Sequence, residues 1–521
     1  MLIRAGFFTL TICILTGLCV PTNLATAESA ADFYVQAVNA QWRWDLDAAI
    51  ILYTRALALN PNLERAAFNR GVAYQARNDE ERALADFTRA VTTDPNLVDA
   101  RYARAVIYLR RKAYDKALAD LNKVVELQPD HIDAFRLRAE ANLALGNSEQ
   151  AKSDADQALK LNPKDSQAYF IRAETDRALG KKADALADLG KTLALNPKNA
   201  LAWLRRGNLL FDDGKTKQAI DDYTHAINLD PSNAAAFNNR GWAWATAGDP
   251  QASLADFDRA LTLNPGFVVA LKNRAAIYAK LKRYDSALSD YTRLLNLAPS
   301  DPAVFAARGK VLLDQGKPTD AIPDFDRALQ LEPDSAEVLA LRGRALVLAG
   351  RPKDAMSDLD TALKTDSNDV QALISRGMAY EALKSYDKAV SDFSRALSAD
   401  PASATPELYY QLAKGELMNG DFDAAARHFT KVIQLQPDNG LAFANRGLAY
   451  KLKGSLPQAL ADFRTAIGLL KKPSSIAQVK DLLRETEPAV ETPRPPAAPR
   501  GAHPSGPASR GTEDLSESRH W

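Results

Sequence analysis

Eleven arginines along this chain are each followed, sixteen residues later, by an aspartate. Arg70 is matched by Asp86, Arg104 by Asp120, Arg138 by Asp154, Arg172 by Asp188, Arg206 by Asp222 and Arg240 by Asp256. Arg274, Arg308, Arg342, Arg376 and Arg446 are matched by Asp290, Asp324, Asp358, Asp392 and Asp462. Where the register continues without an arginine, at Gln36 and Leu412, the aspartate is missing too, replaced by Leu52 and His428. Neither partner is kept alone. Joint loss points to a physical pair, because a partly buried charge stranded without its partner is costly. Arg70 with Asp86 and Arg240 with Asp256 are therefore expected to be structural ion pairs. A ladder of arginines gripping an anionic polymer is the competing reading. The aspartate that accompanies every arginine weighs against it.

No other spacing of this kind carries chemistry. His131, His225, His428, His503 and His520 are scattered, without the intervals of a metal site or a nucleophilic triad. No glycine-rich phosphate loop of the Walker type occurs. The formal net charge is +1 and leaves no electrostatic footprint for nucleic acid. The chain is expected to be no enzyme, to carry no cofactor or metal, and not to bind nucleic acid.

The elements that hold the pairs are announced by a period. Prolines at 61, 95, 129, 163, 197, 231, 265, 299 and 333 step by 34 residues. Ser367 keeps the register, Pro401 restores it, and Pro437 comes two residues late. A small residue recurs one place after each arginine position, as at Gly71, Ala105, Ala139, Gly207, Gly241 and Gly447. An alanine recurs twelve residues later, as at Ala83 and Ala117, and an aromatic four further on, as at Phe87, Tyr223 and Phe257. Each block fits two helices of roughly 14 residues. The turn between them often carries glycine, which adopts a left-handed backbone at low steric cost. Proline closes each block because it cannot continue a helix interior. One hairpin cannot bury its apolar face alone, so neighbours must stack.

The period and this pattern of small, alanine and aromatic positions resemble the tetratricopeptide-repeat family. The resemblance covers about thirteen units across residues 30–473, with a two-residue insertion near 402–406. It implies an all-α fold, a right-handed α-α superhelical solenoid. Leucine usually stands where this chain has arginine, so the arginine register is a departure.

Outside the repeats, residues 1–27 read as a signal peptide. Arg4 precedes an apolar run over 5–20, Pro21 breaks it, and Ala25-Thr26-Ala27 gives a small-x-small cleavage pattern. Removal takes away Cys13 and Cys19, the only cysteines, and leaves no net charge. A retained anchor is disfavoured by the shortness of the run, and a lipid-modified cysteine by Leu18 before Cys19. The expected location is a periplasm or the secreted space, with no membrane insertion after cleavage. Residues 474–486 suit a capping helix, and the proline-rich residues 487–521 a disordered tail.

Function is then expected from the solenoid surface. The family implies a concave groove, lined by first helices, that binds proteins or peptides. Candidate groove residues are Phe68, Asn69, Tyr102, Asn208, Phe211, Asn238, Trp242 and Lys272. Aromatic and polar side chains of this kind compose binding hot spots. The lysine–asparagine pair with which some relatives clamp a carboxylate is absent, since Lys272 is followed four residues on by Ala276. Asn142, Asp176 and Glu416 replace the usual inner aromatic and mark either ligand-facing or degenerate hairpins. The leading expectation is a non-enzymatic scaffold or adaptor for protein partners. The alternatives are a polysaccharide- or cell-wall-binding module, and an accessory subunit of an envelope assembly or secretion machine.

Overall fold

The computed structural model describes residues 28–401 and 404–491. The expected signal peptide, the seam residues 402–403 and the tail from 492 lie outside the described residues. Among the described residues, twenty-seven α-helices follow in chain order, here α1 to α27, and the first twenty-six form thirteen antiparallel hairpins. They divide into two compact units. The first ends at Pro231 and holds α1 (Ala30–Trp42) to α12 (Thr216–Leu229). The second begins at Ser232 and holds α13 (Ala234–Thr246) to α27 (Pro473–Glu491). Each unit is an all-α stack in which a hairpin packs on its sequence neighbours, as the period requires.

Hairpin 2, α3 (Glu64–Ala76) and α4 (Glu80–Thr93), shows the local logic. The turn needs one left-handed residue. Eight glycines fill that place elsewhere, including Gly146, Gly180 and Gly214, while Asn78 fills it here with φ 61°. Asp79 then caps α4 by accepting from the amide of Arg82, satisfying a donor that has no partner inside the helix. At the far end Asp94 is extended, as a residue before proline prefers. Its carboxylate accepts from the amide of Asn96, closing a tight turn into the next hairpin.

Packing explains the small residue. A Cβ on Gly71 would lie 2.7 Å from the Phe87 ring, which is fully buried. Gly241 with Phe257 and Gly377 with Phe393 repeat the arrangement. Where alanine replaces glycine the opposing residue is often smaller, as in Ala105 with Leu121. At the C-terminal end α27 packs on α26 (Leu456–Leu469), with Val479 fully buried. This helix runs on to Glu491, five residues past the end expected from its apolar spacing.

Candidate functional site

The arginine side chain lies across the seam between helices. Arg70 on α3 donates from Nε to Asp86 Oδ2 and from Nη2 to Asp86 Oδ1, both at 2.7 Å. This fork-on-carboxylate geometry is the strong form of ion pair. The same two bonds, between 2.6 and 2.9 Å, join Arg138 to Asp154, Arg240 to Asp256 and Arg376 to Asp392. The aspartates are buried and the arginines mostly covered, with side-chain exposures of 15% for Arg70 and 6% for Asp86. Aromatic rings cover many of the guanidinium faces, Tyr74 over Arg70 and Trp203 over Arg206 among them.

A third bond reaches the preceding hairpin. Arg70 Nη1 donates to Thr54 on α2 (Leu46–Leu59) at 2.9 Å. Its counterparts go from Arg138 to Asn122, Arg308 to Thr292 and Arg446 to Thr430. At Arg172, Arg274, Arg342 and Arg376 the acceptor is a second aspartate, Asp156, Asp258, Asp326 and Asp360. The arginine thus ties its own two helices together and clips them to the hairpin before. These bonds commit the arginines to the scaffold. At Asp120 a second arginine, Arg101, adds a bond of 3.0 Å.

Hairpin 12, α23 (Pro406–Asn419) and α24 (Phe422–Leu435), lacks the clip. Leu412 is buried in its place, and His428 Nδ1 lies 2.8 Å from Glu416, which is itself buried. The other two polar inner residues are likewise partnered. Asn142 donates to Asp154, and Asp176 accepts from Lys152, whose ammonium pKa is raised chiefly by that hydrogen bond. These three side chains point into the packing, not toward a ligand.

The groove candidates divide sharply. Phe68 packs against Phe87 at 5.8 Å between ring centroids, and Asn69 donates to Tyr34 of the previous hairpin. Tyr102 packs against the His131 ring in a tilted arrangement, and burial pushes its hydroxyl pKa up to about 12. Asn208 accepts from Tyr223, and Phe211 is half-buried. Asn238 is 5% exposed and accepts from Asn273 of the next hairpin. Lys272 pairs with Asp301 at 2.6 Å, and that hydrogen bond is the main cause holding the Asp301 carboxyl below its usual range. Of the expected anchor residues, Asn69, Asn238 and Lys272 each hydrogen-bond a neighbouring hairpin. Trp242 stands out at 41% exposed. Asn208 and Phe211 belong to the first unit, and Asn238, Trp242 and Lys272 to the second.

A cleft that the residue types did not announce lies in the second unit. It has a volume of about 740 Å³ and runs between α15 (Val268–Lys280), α17 (Pro302–Asp314) and α19 (Ala336–Leu348). Its floor carries Ala276, Ala279, Ala303, Ala306 and Ala307. Lys280 and Lys310 line it, as do Glu332 and Glu337. At three other places of the same register, first helices are joined by hydrogen-bonded pairs, Tyr34 with Asn69, Asn238 with Asn273 and Tyr410 with Asn445. Alanines cannot make that closure, and the run of alanines at inner positions is the signal that could have found the cleft.

Among the described residues no cluster of His, Cys, Asp or Glu could hold a metal ion, and no helix is long and apolar enough to cross a membrane. Comparison with protein families finds tetratricopeptide-repeat models matching residues 44–98, 68–132, 105–174, 207–248, 268–301, 312–377, 370–403 and 410–472. Together these span more than half of the chain. The comparison with curated proteins finds no match. Among solved structures, the chain is similar to a tetratricopeptide repeat protein from Parabacteroides merdae, at 20% identity over 48% of this chain and 98% of that one, with a TM-score of 0.39. It is similar to the Cut9–Hcn1 hetero-tetramer of the APC/C at 15% identity over 88% and 96%, TM-score 0.40. It is also similar to pilF of Pseudomonas aeruginosa at 19% identity over 41% and 97%, TM-score 0.37.

Proposed function

The chain belongs to the tetratricopeptide-repeat family, whose fold is generally a scaffold for protein–protein interaction, and from that premise we propose that it is an exported, non-enzymatic adaptor that seats a protein or peptide segment against its first helices. The observation that carries this reading is the alanine-floored cleft between α15, α17 and α19. Its volume is that of a site for a few side chains. Its floor is apolar, and its edges offer both ammonium and carboxylate groups to fix a peptide's register. Trp242, on the first helix of the preceding hairpin, offers an exposed aromatic contact in the same unit. Export is supported by the basic start, apolar run and small-x-small site within residues 1–27.

The test is photo-crosslinking in cells from position 310, followed by mass spectrometry, with Ala303→Trp filling the cleft. Ala303 is exposed, so the substitution leaves the core intact. A crosslinked protein that disappears in Ala303→Trp, with unchanged melting, is the expected result. Glycan captured in place of protein would overturn it. N-terminal sequencing of the fractionated protein checks the export reading, with a start near Glu28 expected.

A further inference from the structure

The clip between hairpins 5 and 6 differs from its relatives. Arg206, on α11 (Ala200–Asp212), makes the usual two bonds to Asp222 on α12 at 2.7 and 2.8 Å. Sixteen residues before Arg206, where other hairpins carry Thr54, Asn122, Asp156 or Asp258, stands Gly190 on α10 (Lys182–Leu195). It has no side chain with which to accept the third bond. A Cβ built on Gly190 would meet nothing within 4 Å, so the space above it is open. A notch of about 530 Å³ lies beside the Arg206–Asp222 pair, lined by Leu186, one turn before Gly190 on α10, and by Trp203, Leu210, Gln218, Asp221 and His225. Glycine in a helix interior is also unfavourable, by backbone entropy, so nothing in α10 itself calls for it.

The rest of the chain shows what this notch fits. Arg172, Arg274, Arg342 and Arg376 each hold a second carboxylate against Nη1, at 2.6 to 2.8 Å, while keeping their own aspartate. The Arg206 guanidinium has the same orientation toward Asp222, and a carboxylate from outside would meet an already aimed donor. Asp221 is exposed on the rim. It disfavours a free anion and favours an acidic group that arrives with a cation beside it. Leu186, Leu210 and the Trp203 ring, on which His225 stacks at 4.3 Å, form apolar walls that small inorganic anions cannot use. We propose that the notch beside Gly190 is a docking point for an acidic side chain of a protein partner, next to a basic residue, which completes in trans the clip that Arg206 lacks in cis. The inference stands apart from the cleft in the second unit and does not depend on it.

Gly190→Asp supplies the missing acceptor from within the chain, and Gly190→Ala leaves the notch open, so the pair separates binding from folding. The probe is acetyl-aspartyl-lysine amide, read by the indole NMR signal of Trp203 in the full chain, with acetate and inorganic phosphate as parallel arms. The expected result is a saturable shift with wild type and Gly190→Ala below about 50 mM, weakened about tenfold or more in Gly190→Asp. Absence of a shift in wild type, an equal response from Gly190→Asp, or acetate and phosphate binding as well as the peptide would each overturn the proposal.

Discussion

Hairpin 2 closes its helix seam with the Arg70–Asp86 fork, Thr54 of the neighbouring hairpin and the Phe87 ring against Gly71. Hairpin 12 closes the same seam with buried Leu412, the ring of Phe429 and a Glu416–His428 contact displaced by one turn. Both pack on the hairpins before and after them. The difference shows that a hairpin folds without the clip, and that the constraint falls on the pair. An arginine in this seam needs its carboxylate, and a carboxylate needs its arginine, because each alone is a charge taken from water without compensation.

The most severe way to break the comparison is Leu412→Arg, which places a guanidinium opposite His428. A loss of about 4 kcal/mol is expected, read as faster amide exchange in α23 and α24. Adding His428→Asp should recover most of it. A silent single variant, or a double variant no better than the single, would break the coupling. Asp86→Leu alone should cost about 3 kcal/mol by stranding Arg70, and Arg70→Leu with Asp86→Leu should cost less than that single change. Strictly additive losses in thermal unfolding would mean that the fork is two independent contacts.

Smaller effects sharpen the same contrast. Gly71→Ala pushes a methyl into the Phe87 ring and should cost about 2 kcal/mol, with Phe87→Leu relieving part of it, as Ala105 tolerates Leu121. Among the buried places where hairpin 7 differs from hairpin 2, one carries Ser253 in place of the usual alanine. Ser253 is fully buried and its hydroxyl has no partner. Ser253→Ala should therefore raise stability, by about 1 kcal/mol. A drop in melting temperature would show that the hydroxyl is used.

The pairing of arginine with aspartate was legible because the repeats are parallel trials of one packing problem, and its two joint losses expose the link. The third bond was equally present in the letters, sixteen residues upstream, but it joins one repeat to the previous one and so escapes any comparison made within a repeat. The groove candidates fared differently. Residue type alone ranks Asn238 and Lys272 as sticky, yet Asn238 is spent on Asn273 and Lys272 on Asp301. A polar side chain between two first helices finds a neighbour before it finds a partner, and only the spacing of the helices decides which.

The amino-acid order by itself determined the helix hairpins, their turns, the residues that touch within each hairpin and the arginine–aspartate forks. All of these rest on interactions between residues at fixed, short separations. Tertiary structure decided where the surface stays open. The alanine cleft of the second unit exists because several small residues from different helices meet where neighbouring hairpins would otherwise close on each other, and the notch opens where Gly190 brings no side chain to the Arg206 seam. Absence of a side chain becomes a site only when packing fixes everything around it.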